Sequence, residues 1–372
     1  MILLIYPPVA KPCEPPAGIA RLSGMLAKHG IDHRLLDANI EGLLYLLRMP
    51  MPKEKKDDIW TKRAFRNRGI NLSRLRSPDL YNHLDRYKRT VSDIARVLGD
   101  VSPNGSTVGL VNYEQEELSP LKSSDLLIAS ERPELNPFYQ YFRRRLEDLF
   151  HDKEPSVIGI SVNYLSQALC AFSIIGFIKR ELPHAKIILG GGLVTSWLKN
   201  QKWKNHFAGM VDHMVAGPGE YQLLLLLGID TIEKKVPQPD YHPFHEERYL
   251  SPGFILPFSA STGCYWNKCT FCPENAERNQ YVVMPPEQVI ADLNDLRQKS
   301  NPALVHFLDN AISPALLDAL ATNNIDVPWY GFARINSQMT DPDFCVTLKG
   351  AGCVMLKLGI ESGDQCVLDT LE

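Results

Sequence analysis

Short runs of entirely apolar residues recur along the chain, and each is followed by a stretch with helical spacing of its apolar positions. The first run covers residues 2–6, helical spacing follows over 18–29, and residues 33–37, His-Arg-Leu-Leu-Asp, predict a second short strand. A strand that is apolar on both faces is typical of a parallel sheet covered by helices. We therefore predict a strand–helix–strand unit within the first forty residues.

The same pattern returns after residue 155. It predicts strands over 157–162, 186–189 and 211–216, and a helix over 168–182. Glycines follow two of these strands, at 190–192 and at 217 and 219. Alternating strands and helices indicate an α/β domain with an open, doubly wound parallel sheet over residues 1–228. Ligands of such sheets bind beyond the carboxyl ends of the strands, where these glycine-rich loops lie.

A charged segment, residues 45–135, interrupts this pattern and has no strand rhythm, so we predict a mainly helical insertion there. Its basic residues are Lys53, Lys55, Lys56, Lys62, Arg63, Arg66, Arg68, Arg74, Arg76, Arg86, Lys88 and Arg89. They form either a solvated face or a docking surface for an acidic partner or substrate.

The second half of the chain predicts another α/β domain. Residues 229–250 are polar and rich in proline, which is typical of a linker. From residue 251 onward four strand–helix repeats follow. The predicted strands cover 254–262, 304–308, 328–333 and 354–358, and the predicted helices cover 286–299, 314–321 and 341–349. The second domain is thus expected over 251–372.

Composition limits the classes of function. Forty Lys and Arg against 43 Asp and Glu give a net charge of −3, which argues against a general nucleic-acid-binding surface. No run approaches the roughly 20 apolar residues of a membrane span. The N-terminus has no basic segment or cleavage site typical of a signal peptide. Eight cysteines in 372 residues are too few for a disulfide scaffold, so we expect a reduced, cytoplasmic protein.

Three of those cysteines lie within nine residues, at the end of a predicted strand: Cys264, Cys269 and Cys272. Three thiolates could hold three irons of a 4Fe–4S cluster and leave the fourth iron open. Zinc would need a fourth ligand, and His242 or His245 could serve only if the preceding segment folds back. Unliganded core cysteines are the remaining alternative.

The cysteine segment resembles that of the radical S-adenosylmethionine (SAM) enzymes, whose usual pattern is Cys-x3-Cys-x2-Cys with an aromatic residue before the last cysteine. Phe271 is that aromatic residue. Here four residues separate Cys264 from Cys269, and one extra residue adds at most about 3.5 Å of reach. The segment 359–363, Gly-Ile-Glu-Ser-Gly, resembles the family's fourth-strand motif.

The resemblance implies SAM contacts from Phe271, Asp309, Arg334, Glu361 and Ser362. The structural alternatives are a turn carboxylate for Glu361, a surface ion pair for Arg334 and a loop-capping residue for Asp309. It also implies reductive cleavage of SAM to a 5′-deoxyadenosyl radical that acts on an unknown substrate. The electron would come from a low-potential donor of flavodoxin or ferredoxin type.

The family's barrel has six strands, and this sequence stops in the fourth predicted helix of the second domain. The resemblance therefore implies a partial, truncated radical SAM β/α barrel. Such a chain would lack some SAM and substrate contacts, and it could be inactive although its parent is an enzyme.

The N-terminal domain resembles the Rossmann-like, cobalamin-binding-like domain of one radical SAM subfamily. The matching segments are 2–8, 15–20, 36–39, 157–161, 188–192 and 217–220. Cobalamin, and with it methyl transfer, is therefore a possible extension. Residues 37–42 mimic the spacing of a cobalt-ligating Asp-x-His-x-x-Gly motif, but Asn39 replaces the histidine.

The residues placed to meet a nucleotide tail are Ser161, Gly191, Gly192 and Thr195, although plain strand–turn geometry would explain them equally. A non-catalytic iron–sulfur or cobalamin-like binding or sensor module is the main alternative to an enzyme, and a structural zinc protein is the other.

Overall fold

A computed structural model describes residues 1–53, 58–103, 105–230, 237–246 and 248–371. The chain divides into two compact units, Met1–Pro252 and Gly253–Glu372. Each unit is mixed α/β and contains a parallel sheet. Lys55 and Lys56 of the predicted basic segment lie outside the described residues.

The first unit contains both strands and α-helices. Its strands are β1 (Ile2–Tyr6), β2 (His33–Asp37), β3 (Ser106–Val108), β4 (Tyr113–Gln115), β5 (Val157–Ser161), β6 (Lys186–Gly190) and β7 (His213–Met214). Its helices are α1 (Ala17–Lys28), α2 (Ala38–Leu46), α3 (Ile59–Leu75), α4 (Leu84–Val101), α5 (Ser123–Glu131), α6 (Tyr139–Asp152), α7 (Leu165–Glu181), α8 (Gly192–Lys199) and α9 (Glu220–Leu226).

Five of these strands form one parallel sheet in the order β2-β1-β5-β6-β7. Every residue of β1 is buried, as expected for a strand covered on both faces. The predicted strands at 2–6, 33–37, 157–162 and 186–189 are confirmed. The strand predicted over 211–216 is reduced to the two residues His213–Met214. The strand order reverses at β1, where a parallel sheet usually offers a ligand crevice.

The insertion is mostly helical, with α3, α4 and α5, but it also contains an antiparallel hairpin of β3 and β4. The predicted mainly helical insertion is confirmed, and the hairpin is an addition that the sequence pattern did not predict. Each strand has only three residues, which is too short to show the alternation of apolar and polar positions that marks a strand.

The described part of the expected linker packs against the first unit. Tyr241, Phe244, Tyr249 and Leu250 are buried. The Leu250 amide donates to the Pro12 carbonyl at 2.8 Å. Residues 237–246 and 248–250 therefore belong to the structure of this unit.

Tyr249 also reaches a buried carboxylate. Its hydroxyl donates to Asp37 Oδ2 at 2.8 Å. Asp37 precedes α2, and its other oxygen accepts the amides of Asn39 and Ile40, both at 3.1 Å. Burial raises the pKa of Asp37 to about 7, because the charged form loses its hydration.

We expect this raised pKa to make folding pH-dependent. Above its ordinary pKa the unfolded chain releases the Asp37 proton while the folded chain retains it. The free energy of unfolding should therefore fall from about pH 4 to about pH 7 and level off above that, by a few kcal/mol at most. Asp37→Asn keeps the acceptor that caps α2 and should remove this slope. Urea unfolding at pH 5 and pH 8 measures it, and equal slopes in both proteins would contradict the assignment.

The second unit is built around a four-stranded sheet. The strands of the second unit are β8 (Ile255–Phe258), β9 (Ser261–Thr262), β10 (Val282–Val283), β11 (Leu304–Phe307), β12 (Trp329–Ala333) and β13 (Cys353–Leu358). Its helices are α10 (Pro273–Ala276), α11 (Pro286–Ser300), α12 (Pro314–Thr322), α13 (Pro342–Gly350) and α14 (Gln365–Leu371).

The sheet order is β13-β12-β11-β8, and every pairing is parallel. Trp329 is fully buried on β12, packs edge-on against Phe307, and donates its Nε1–H to the Ala351 carbonyl at 3.0 Å. The predicted strand–helix alternation is confirmed. The single strand predicted over 254–262 is wrong, because β9 is a separate element that pairs antiparallel with β10.

Among the described residues, none of the helices has the length and apolar character needed to cross a lipid bilayer.

Candidate functional site

The cysteines lie in a long loop, residues 263–281, that joins β9 to β10. Pairing of Thr262 with Val282 closes the base of this cysteine loop. Gly263 begins it in a left-handed conformation, with φ of +73°, and a Cβ there would lie 2.6 Å from the Gln280 carbonyl oxygen. Asn310 follows β11, and its side-chain Nδ2 donates to the Gly263 carbonyl at 3.2 Å. The loop is thus fastened to the carboxyl edge of the sheet.

Within the loop, the three thiols are free and half-buried. The Cys272 amide donates to the Cys269 carbonyl at 3.2 Å, and Cys272 directly precedes α10. Asn275 Nδ2 donates to the carbonyls of Lys268 and Cys269 at 3.3 and 3.2 Å. These bonds form a tight turn that contains both Cys269 and Cys272.

The expected convergence of the three thiols is not preformed. In the described part of the chain, no three or more His, Cys, Asp or Glu side chains form a group that could hold a metal ion. His242 and His245 lie in the first unit, with their ring centres 6.0 Å apart, and their part in a zinc site stays a prediction. Metal binding is coupled to folding, so the metal itself can bring its ligands together.

A cavity of about 320 Å³ lies beside Cys269 within the second unit. Its walls include Phe271 from the cysteine loop, Arg334 from the end of β12, and Glu361 and Ser362 from the segment after β13. Leu368 and Leu371 of α14 add an apolar side. The cavity brings one predicted metal ligand together with four of the five predicted SAM residues.

These residues meet because parallel strands end at one edge of the sheet. Glu361 adopts a left-handed turn, with φ of +58°, and the amide of Ser362 donates to the Ile360 carbonyl at 2.6 Å. The Thr270 amide donates to the Leu371 carbonyl at 2.9 Å, which ties α14 to the cysteine loop. Two chain segments that are a hundred residues apart thereby close the cavity.

Arg334 contacts the cysteine loop directly. Its guanidinium lies 3.9 Å from the centre of the Trp266 ring, and its Nη1 is 3.7 Å from Cys269 Sγ. Lys268 Nζ is 4.6 Å from the same ring. Neither Trp266 nor Lys268 was predicted, although both lie inside the cysteine segment as an aromatic residue and a cation.

Asp309 lies apart from this group. It is 3% exposed and is not among the cavity residues. Its carboxylate accepts the Ala260 amide at 3.0 Å and the Ser261 hydroxyl at 2.5 Å, and burial raises its pKa. These bonds join the turn between β8 and β9 to the end of β11. Asp309 thus has the loop-capping role in the structure, and its contact with SAM stays a prediction.

The four residues predicted near cobalamin lie at the carboxyl ends of β5 and β6, but their polar groups are already bonded. The Thr195 hydroxyl donates to the Gly191 carbonyl and accepts the Gly217 amide, both at 2.9 Å. Asn163, which the sequence analysis missed, accepts the Gly192 amide at 2.9 Å and donates to Ser161 Oγ at 3.4 Å. This network matches the alternative of plain strand–turn geometry.

Gly191 serves the same network. Its φ is +105°, and a Cβ there would lie 2.4 Å from the Val162 carbonyl oxygen, so only glycine fits. Asn39, at the position of the missing cobalt-ligating histidine, is also structural. It exchanges hydrogen bonds with the backbone of Ala10, at 2.8 and 3.0 Å.

The chain has a distant relative among curated proteins. No family model matches the chain, and no solved structure matches it. The protein 4′-phospho-dehydrooxetanocin synthase from Priestia megaterium is 22% identical over 253 residues. The match covers 59% of this chain and 32% of that protein, so the chain spans about a third of the relative's length.

Proposed function

We propose that this chain is part of a radical SAM enzyme. The observation that carries the proposal is the cavity, which brings Cys269 together with Phe271, Arg334, Glu361 and Ser362 from three separate segments. The distant similarity to 4′-phospho-dehydrooxetanocin synthase, whose name is that of a radical SAM-type enzyme, supports the proposal. In this proposal the first unit is a Rossmann-like, cobalamin-binding-like domain and the second unit is part of a β/α barrel.

The donor set fits a 4Fe–4S cluster. Cys264, Cys269 and Cys272 are soft sulfur ligands on one loop, all three free, and they would hold three irons. When bound, such a cluster supplies the electron for reductive cleavage of the sulfonium bond of SAM. A low-potential donor of flavodoxin or ferredoxin type would provide that electron, and the substrate is not identified.

The other cavity residues would bind SAM and exclude water. The cavity volume is within the range of small-molecule sites. The carboxylate of Glu361 and the hydroxyl of Ser362 can accept hydrogen bonds from the hydroxyl and amino groups of the ligand. Phe271 offers a flat apolar face to the adenine, and Leu368 and Leu371 keep that side of the cavity dry.

Anaerobic reconstitution with iron and sulfide tests the proposal. We expect a brown protein with 4Fe–4S absorption, an electron paramagnetic resonance (EPR) signal that changes on adding SAM, and 5′-deoxyadenosine after reduction. A colourless protein with one bound zinc would instead support the structural zinc alternative. A cluster that does not respond to SAM would support the non-catalytic module.

Glu361→Gln should weaken SAM binding about tenfold without changing iron content, because one charged hydrogen-bond acceptor is lost. Calorimetric titration of the reconstituted protein with SAM measures this. Glu287→Gln, an exposed change in the first turn of α11, is the matched control and should bind SAM like the wild type. Equal affinities for all three proteins would remove Glu361 from the site.

Cobalamin binding by the first unit stays a prediction. Its support is the all-parallel sheet whose order reverses at β1. The test is purification in the presence of cobalamin, followed by desalting and a visible spectrum. Cobalamin absorption after desalting would support a cobalamin-dependent reaction, such as methyl transfer. A spectrum without cobalamin absorption would restrict the proposal to the second unit.

A further inference from the structure

The stack of Arg334 on Trp266 places a permanent cation beside one of the three thiols. The guanidinium centre lies 3.9 Å from the ring centre, and Nη1 lies 3.7 Å from Cys269 Sγ. Arginine stays charged at any working pH, and its flat cation fits against an aromatic face. The charge is therefore held in place by the ring and directed at the sulfur.

The surroundings strengthen this interaction. Arg334 and Trp266 are both half-buried. The indole Nε1 is buried and has no hydrogen-bond partner among the described residues. Because less water screens the pair than at an open surface, the charge acts more strongly on the neighbouring sulfur. Lys268 contacts the same ring at 4.6 Å but is exposed, so its strongly hydrated ammonium is screened.

We propose that Arg334, positioned by Trp266, raises the reduction potential of a cluster held by Cys264, Cys269 and Cys272. This inference rests on the proposed function. Reduction adds one electron to the cluster and so adds one negative charge. A cation beside a ligating sulfur stabilises that reduced state, and charge and hydrogen bonds to sulfur are known levers on cluster potential. The electron comes from the external low-potential donor, and the step transfers no proton.

This role differs from the SAM contact that the resemblance implies. A SAM ligand would act only when SAM is present. A charge beside the ligating sulfur acts on the cluster alone, so the two roles separate in a measurement made without SAM. Arg334 then acts on the reaction indirectly, through its electrostatic effect on the cluster.

The experiment is an EPR-monitored redox titration of the reconstituted full chain without SAM. Arg334→Gln should shift the reduction equilibrium at least tenfold toward the oxidised cluster, about 59 mV for one electron. Arg334→Lys keeps the charge but loses the flat stack, and should shift it in the same direction by less. Trp266→Leu should behave like Arg334→Lys. Lys268→Gln removes an equal charge from the same loop and should leave the potential unchanged.

Two results would overturn the inference. The first is an Arg334→Gln protein with wild-type potential and weaker SAM binding, which would make Arg334 a SAM ligand only. The second is an equal shift in Lys268→Gln, which would reduce the effect to net charge. If the wild type assembles no cluster, the proposed function fails with it. Iron content and circular dichroism check folding, and Arg334→Lys carries the test if Arg334→Gln does not fold.

Discussion

Replacing any one of Cys264, Cys269 and Cys272 with serine should abolish cluster binding, with iron content falling to about a tenth of wild type or less. Serine has nearly the same size, but its hydroxyl is a poor ligand for iron compared with a thiolate. A cluster held by only three protein ligands has none to spare. Iron and sulfide analysis after anaerobic reconstitution and desalting measures the effect, and 5′-deoxyadenosine formation should be lost with it.

The chain provides matched controls for this experiment. Cys345 and Cys366 are free and exposed, and they lie outside the cysteine loop. Serine at either position should leave iron content unchanged. The decisive member of the trio is Cys264, because four residues rather than three separate it from Cys269. Full iron content in Cys264→Ser would show that another side chain is the third ligand, and the assignment would be wrong.

The apolar runs were enough to predict both parallel sheets. β1 and β5 are covered on both faces, so their sequences are apolar without alternation and are easy to recognise. The cavity residues were predicted from the resemblance to the radical SAM enzymes, and the strand pattern agrees with that prediction. Arg334 and Glu361 follow predicted strands, and the carboxyl ends of parallel strands meet at one edge.

Other features depend on tertiary contacts that leave no local pattern. Nothing in the proline-rich segment 237–250 shows that Tyr249 is buried and bonded to Asp37, some two hundred residues earlier. Asp309 follows a strand as Arg334 does, yet its carboxylate turns toward the amide of Ala260. Sequence position could place both residues at the sheet edge, but it could not say which one lines the cavity.

The cysteine loop has features that the sequence predicts and features that depend on tertiary contacts. The clustering of its cysteines and the family resemblance predicted its ligands and its aromatic residue, whereas nothing predicted its attachment to the sheet. That attachment depends on the backbone at Gly263, where the chain leaves β9. It also depends on Gln280, which approaches Gly263 where the loop enters β10. The identity of the ligands and the geometry of the loop are therefore separate requirements for the site. A glycine substitution can test the loop geometry while all three cysteines remain.

Gly263→Ala should weaken iron binding about a hundredfold although all three cysteines remain. An alanine at φ of +73° is strained by roughly 1 kcal/mol or more, and its Cβ would lie 2.6 Å from the Gln280 carbonyl oxygen. Relieving that contact must move the backbone at the base of the loop. A total cost of about 3 kcal/mol corresponds to roughly a hundredfold in affinity. Competition with an iron chelator measures the affinity of wild type and variant.

Gly350→Ala is the control, because Gly350 ends α13 in the same unit and a Cβ there meets nothing within 4 Å. It should bind iron like the wild type. Unfolding measurements on both variants separate a local change in the loop from loss of the whole unit. If Gly263→Ala binds iron as tightly as Gly350→Ala, the base of the loop does not position the thiols. The cysteines would then converge through the metal alone, whatever the backbone at Gly263 does.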